Sequence, residues 1–237
     1  MTELRKFALL FLIMLLFAGC GAGIPVKTPQ MGLEELESAF LQEKWDEVIF
    51  VGEKRLQGEP DNVVVRFVMS MAYYMKGEYE LQEQERSLAF EDEKGIDDIV
   101  AWCEQLAKRF PNNYYAHLLL GSAYRAKDEV KALESYQRAV ELNPNLSDAY
   151  VGLAATYWVS GKADDAIKYF KKAIEINPKD VAAHFNLGLL YENIEQIDEA
   201  IALYEKTIEI NPGFKDVYVT LGDLYSEKGE KDKAIKA

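Results

Sequence analysis

The sequence is poor in the side chains that most often carry out chemistry. Its 237 residues include two cysteines, Cys20 and Cys103, and two histidines, His117 and His184. Two cysteines make at most one disulfide, which excludes a disulfide-stapled scaffold. No metalloprotease His-Glu pair, nucleophile-elbow serine or phosphate-binding glycine loop occurs. No metal, cofactor or catalytic residue is therefore expected. Basic residues are also in deficit, with 27 Lys and Arg against 40 Asp and Glu and a net charge of −13. That is the wrong sign for tracking a phosphate backbone, so nucleic acid is not an expected partner. Long apolar runs are confined to residues 7–18. Twelve residues of helix reach roughly 18 Å, short of the ~30 Å hydrocarbon core of a bilayer. What the chain does have is 49% hydrophobic and 28% charged residues, enough to fold around a core. Aromatics make up 12%, with 14 tyrosines among them, and that excess needs an architectural reason.

The first twenty residues have the layout of an export signal: Arg5 and Lys6, the apolar run, then Gly19 and Cys20. Phe17-Ala18-Gly19-Cys20 resembles a bacterial lipobox, although that motif prefers Leu where Phe17 stands. The resemblance implies cleavage of residues 1–19 and lipid attachment at Cys20, with residues 20–30 as anchor and tether. Several acyl chains at ~0.8 kcal/mol per buried CH₂ would hold firmly. Gly21, in place of Asp, implies outer-membrane sorting with the protein facing the periplasm, if the cell is Gram-negative. The alternative is an ordinary secretory signal, or a short uncleaved anchor, with an incidental cysteine. The tether contains Pro25 and Pro29, and its ten residues reach roughly 35 Å when extended. Without residues 1–19 the charge becomes −14.

The strongest pattern is a ruler of 34 residues. Val140-Glu141-Leu142-Asn143-Pro144 recurs as Ile174-Glu175-Ile176-Asn177-Pro178 and as Ile208-Glu209-Ile210-Asn211-Pro212. Between the prolines, Tyr150, Leu153, Ala154 and Tyr157 fall on one face of a first helix, and Ala166, Phe170 and Ala173 on one face of a second. Gly161 permits the turn, and Pro178 ends the second helix. These residues resemble the tetratricopeptide repeat family. The resemblance implies an all-α, right-handed superhelical solenoid of antiparallel helix pairs, here called helix A and helix B of each repeat.

Over 114–237 the resemblance gives three full repeats and a truncated fourth. The unit ending at Pro144 is one residue short between Tyr124 and Ala132, which predicts a tighter turn near Asp128. The next departs at Glu195, where Gly is usual, and at Thr207, where Ala is usual. The last supplies Tyr218, Leu221, Gly222, Tyr225, Gly229 and Ala234, then stops inside its helix B, which predicts a longer array continuing past Ala237.

Residues 31–113 are helical in pattern but off the ruler. Pro60 and Pro111 are 51 residues apart, one and a half repeats, so an odd number of helices separates them. The pattern predicts helices near 33–42, 46–57, 63–76, 79–92 and 96–109. Met69, Ser70, Tyr73 and Gly77 resemble a helix A and its turn, whereas Ile99, Cys103 and Leu106 resemble a helix B core. If Cys20 is lipidated, Cys103 has no partner and is expected to be a buried free thiol. Glu78, Glu80, Glu83, Glu85, Glu91, Asp92 and Glu93 are expected on one helix, as a solvated face or a dock for a basic partner.

Function is expected from a binding surface, since stacked repeats form a concave groove. In the family it is lined by the second, fifth, ninth and twelfth residues of helix A. Carried onto this chain these are Tyr115, Leu118, Ser122 and Arg125, then Val151, Ala155 and Trp158, then Phe185, Leu189 and Glu192, then Val219 and Asp223. The family's clamp for acidic peptide tails uses Lys, Asn and Arg, and only Asn186 resembles a member. An amphipathic helix or apolar segment is the expected ligand, with Trp158 and Phe185 as anchors. The resemblance thus implies a lipid-anchored scaffold for a protein of the cell envelope, in outer-membrane or pilus and secretion assembly. The alternatives are an adaptor for cell-wall hydrolases and, more distantly, an enzyme within residues 31–113. Oligomeric state and partner identity are open.

Overall fold

The computed structural model describes residues 33–230, and Cys20, the tether and the final stretch beyond Glu230 lie outside them. The described residues form twelve α-helices: α1 Glu34–Leu41, α2 Trp45–Leu56, α3 Val63–Lys76, α4 Tyr79–Ala89, α5 Glu93–Arg109, α6 Tyr114–Tyr124, α7 Glu129–Leu142, α8 Ser147–Val159, α9 Ala163–Ile176, α10 Val181–Asn193, α11 Ile197–Ile210 and α12 Lys215–Glu227. They stack as antiparallel pairs into a helical solenoid. No strand occurs among them.

The recurring Asn-Pro pair acts through both residues. Proline stops helix B, and the preceding asparagine turns its side chain onto the backbone two residues ahead. Asn143 accepts from Asn145 N at 3.1 Å, Asn177 from Lys179 N at 3.2 Å, and Asn211 from Gly213 N at 3.0 Å. The fourth residue of helix A then reaches back over this turn. His117 Nε2 lies 3.0 Å from Pro111 O, Tyr218 OH donates to Pro212 O at 3.1 Å, and Arg66 donates to Pro60 O at 2.8 Å. The two histidines are thus packing residues: His184 is buried with Nδ1 2.8 Å from Asp180 O.

At most of its ends helix A closes with the left-handed cap expected of a Schellman motif. Gly77, Gly161 and Gly229 each sit at φ 75°. Gly161 N–H bonds Trp158 O and Lys162 N–H bonds Tyr157 O, both at 2.9 Å. Glu43 and Glu195 occupy the same conformation at φ 61° and 63° without being glycine. The shortened unit uses a different closure. Lys127 and Asp128 N–H both bond Tyr124 O, at 2.8 and 2.7 Å, and no residue of that turn has positive φ. One residue fewer removes the left-handed position.

Helix B fills the core with a single large side chain, and two of these, Tyr136 and Tyr204, are set against glycines of helix A. Tyr136, Phe170 and Tyr204 are almost fully buried. Thr207, at a position where alanine is usual, is also buried, its hydroxyl donating to Leu203 O at 2.9 Å. Tyr150 and Tyr157 are only half-buried, with the Tyr169 ring between them at 6.3 and 5.4 Å. They form an aromatic ladder rather than inner core.

The divergent half obeys the same rules with one helix added. Two cross-helix pairs mark helix B against the following helix A: Asp198 with Lys228 and Glu205 with Tyr225. Asp97 with Lys127 and Glu104 with Tyr124 reproduce both at the same separations of thirty and twenty residues, and Asp46 with Lys76 repeats the first at 2.8 Å. These pairs place α2 and α5 as B helices and α3 as an A helix. Ile99, Cys103 and Leu106 are buried, and Cys103 is a free thiol. Burial pushes the thiol pKa well above its ordinary value, so it stays protonated and inert. The helix inserted between α3 and α5 is α4, and of its eleven residues only Ala89 is buried.

The acidic residues expected on one helix are divided. Helix α4 stops at Ala89; Asp92 caps α5, accepting from Gly95 N at 2.6 Å, and Glu93 is the first residue of α5. Glu85 pairs with Arg66 at 2.7 Å, Glu83 with Arg86 at 2.9 Å and Glu78 with Lys76 at 2.8 Å. Capping and ion pairing use up most of what looked in sequence like a free anionic face.

Candidate partner groove

The concave side holds a cavity of about 640 Å³. Its floor comes from α6, α8 and α10: Leu118, Ser122 and Arg125, then Asp148, Val151, Ala155 and Trp158, then Asn186. The facing wall comes from α3 and α4, with Phe67, Met71, Tyr74, Gln82, Glu83 and Arg86. The apolar members sit on one face of each helix because helix A alternates a core stripe with a groove stripe. That double use leaves α8 and α10 apolar nearly all round.

Six of the residues expected at the groove line this cavity: Leu118, Ser122, Arg125, Val151, Ala155 and Trp158. Leu118 and Val151 are buried, Ala155 and Trp158 half-buried, and Arg125 exposed. Ser122 Oγ lies 3.1 Å from Tyr136 OH, which ties the floor to the core beneath it.

The others are placed elsewhere. Tyr115 is a core residue, buried edge-on against Phe40 and Trp45 at 5.9 and 5.4 Å, because α1 and α2 pack over α6. Phe185 is half-buried and in contact with Tyr204 and Phe214 at 5.9 and 4.9 Å, and Leu189 packs beside it on the core. Glu192 accepts from Tyr204 OH at 2.6 Å. Val219 and Asp223 are exposed on α12, away from the cavity.

Sequence reasoning missed Asp148 and the contribution of α3 and α4. Asp148 lies in the first turn of α8, where an acidic residue reads as an ordinary response to the helix dipole. In the structure it is half-buried, and desolvation together with the nearby Asp180 carboxylate pushes its pKa up to about 7. Asp180 is itself raised by burial while capping α10, accepting from Ala183 N at 2.9 Å. Tyr74, facing both, is held well above its usual range by burial and then by these two carboxylates. The cavity thus combines an apolar floor with polar and charged groups, among them one carboxyl poised between its charged and neutral forms. Among the described residues no group of three or more His, Cys, Asp or Glu is placed to hold a metal ion, and no helix is long and apolar enough to cross a membrane.

Comparison with known proteins adds the following. Tetratricopeptide repeat models match residues 101–147, 145–212 and 195–237, together more than half of the chain. Among solved structures, the crystal structure of MamA is 33% identical over 60% of this chain and 84% of its own, with a TM-score of 0.53. A second MamA crystal structure is 28% identical, covering 75% of this chain and 88% of its own, with a TM-score of 0.51. The thermophilic TPR protein TTC0263 of Thermus thermophilus shares 19% identity over 83% of this chain and 98% of its own, at a TM-score of 0.55, which supports the fold alone. Comparison with curated protein sequences returns no match. The repeat ruler, the ladder of caps and cross-helix pairs and the three family matches agree: the chain belongs to the tetratricopeptide repeat family.

Proposed function

We propose that this chain is a non-catalytic scaffold, lipid-anchored at Cys20 in the cell envelope, that holds a protein partner in its concave groove. The observation that carries the binding part is the concave cavity whose floor presents Leu118, Val151, Ala155 and Trp158 and is served by three successive A helices. An amphipathic helix or apolar segment is the ligand of matching chemistry, with Trp158 as the anchor. The apolar run of residues 7–18, followed by Gly19 and Cys20, supports the anchor, and the tether would let the repeats stand clear of the headgroups. Assembly of an outer-membrane, pilus or secretion structure is the process such a scaffold would serve.

Affinity capture from detergent-solubilised membranes tests the groove. Trp158→Ala should reduce partner recovery about tenfold or more, in line with a buried aromatic anchor, while leaving the fold intact. Equal recovery from the wild type and the variant would remove the groove from consideration. Cys20→Ala should release the protein from membranes, and persistent attachment would remove the lipid anchor.

A further inference from the structure

In a solenoid each unit touches its neighbours along the chain, and distant units communicate through those between them. Two contacts near the start of α4 span a far longer stretch of chain. The Tyr79 ring at the start of α4 lies 5.4 Å from the Phe214 ring just before α12. Beside it, Glu80 accepts from Lys215 Nζ at 3.2 Å across a separation of 135 residues. Both contacts join α4, a wall of the groove, to the start of α12, so the superhelix returns on itself there.

The two sides of this crossing are each secured to their own half. Helix α4 is tied to α3 by the Arg66–Glu85 pair at 2.7 Å and by the Phe67–Phe90 and Tyr74–Tyr79 ring pairs at 5.7 and 6.1 Å. Phe214 is tied to α10 through Phe185. Between the halves the bonding is slight. Lys215 and Glu80 are 81% and 84% exposed, and an ion pair so exposed is weak and screened by salt. A second cavity of about 800 Å³ flanks the crossing, lined by Leu81, Gln84 and Ser87 on one side and Asn211 and Gly213 on the other. It leaves room for the two sides to part.

Closure limits what the groove accepts. The α4 wall that faces α8 is the one the crossing holds in place, and a helix laid between them is about 10 Å across. From this geometry we infer that Tyr79–Phe214 and Glu80–Lys215 form a clasp, and that a helical partner reaches Trp158 only when the clasp is open. The identity of what enters rests on the groove reading above; the opening itself does not. A partner helix in the groove would compete with the closed state, so its apparent affinity would fall by the fraction of chains that are open.

The clasp can be measured without any partner. The full chain carrying Cys20→Ser, Gln84→Cys and Val219→Cys is spin-labelled at its two new thiols, both on exposed positions across the crossing. Cys103, buried, stays unlabelled. Double electron–electron resonance should give a dominant short distance and a minor long one. Lys215→Glu, which sets two carboxylates face to face, should raise the long-distance fraction about three- to tenfold, and Tyr79→Ala should act in the same direction. Raised salt should enlarge that fraction in the parent chain and do little in Lys215→Glu. One narrow distribution shared by the parent and both variants would overturn the clasp, as would a broad one that neither substitution changes. A clasp that opens as described alongside unaltered partner capture by Trp158→Ala would sink the groove reading and leave the clasp standing.

Discussion

Tyr136 lies against the backbone of Gly152 so closely that a methyl group added to that glycine would meet the ring carbons at 2.5 Å. The same ring would meet a methyl group on Gly121 at 2.6 Å. One tyrosine of α7 is therefore seated between two A helices, α6 and α8, and both must be bare at the point of contact. Gly152→Ala should destabilise the chain by about 1–3 kcal/mol through overpacking, read as a lowered midpoint of chemical denaturation. Gly161→Ala meets no atom within 4 Å, so its cost comes from its φ of 75° alone, about 1–2 kcal/mol. Tyr136→Leu should recover part of the Gly152→Ala loss and none of the Gly161→Ala loss. Simple additivity in both double variants would refute the steric account.

Glu195 holds the left-handed cap position that glycine fills in three equivalent turns. Glu195→Gly removes the steric cost of that conformation and returns some chain entropy to the unfolded state. The expected balance is a gain of about 0.5–1 kcal/mol, visible as a rise of a few degrees in Tm. A fall in Tm would mean that the glutamate stabilises the turn by a contact of its own.

Asp148 gives the fold a dependence on pH with a definite sign. Its folded pKa of about 7 stands above the ~3.9 of an unfolded aspartate, so the folded chain holds the proton more tightly. The favourable contribution is complete below about pH 4 and is lost as pH rises through 7. Asp148→Asn keeps the neutral form at every pH. Its stability advantage over the wild type should be near zero at pH 4 and reach about 2–4 kcal/mol at pH 8. Denaturation at the two pH values checks this, and an advantage of equal size at both would disconnect it from ionisation.

Phe185 and Trp158 looked equivalent as anchors in the sequence, and packing separates them. Phe185 touches Tyr204 and Phe214, whereas Trp158 faces the cavity. Phe185→Ala should cost about 2–4 kcal/mol of stability, moderated by its partial exposure. Trp158, half-buried at the edge of the same core, should cost less stability on substitution by Ala and act chiefly on binding. Thermal melts of the two variants decide it; a larger loss in Trp158→Ala would reverse the assignment.

Much of the repeat architecture was legible because its causes are local. Asn177-Pro178 terminates a helix and starts a turn by itself, Gly161 supplies its own φ, and Ala166, Phe170 and Ala173 share a face by helical period alone. Even the shortened turn at Asp128 could be anticipated, since a missing residue changes how the chain can close. The pairing of the acidic residues near α4 was not legible for the converse reason: whether Glu85 is free depends on Arg66, nineteen positions away.

The sequence by itself determined the repeat unit, its period and core positions such as Ala166, Phe170 and Ala173, because those follow from spacings of three, four and thirty-four. Only the tertiary structure decided which of the remaining faces stays open. Tyr115 became core because α1 and α2 pack over α6, and Phe185 because Phe214 returns beside it. The groove acquired a wall and a clasp because rotation accumulated over several helix pairs carries Tyr79 to Phe214. Such a meeting across 135 residues depends on the sum of every packing angle between them, and no local pattern records that sum.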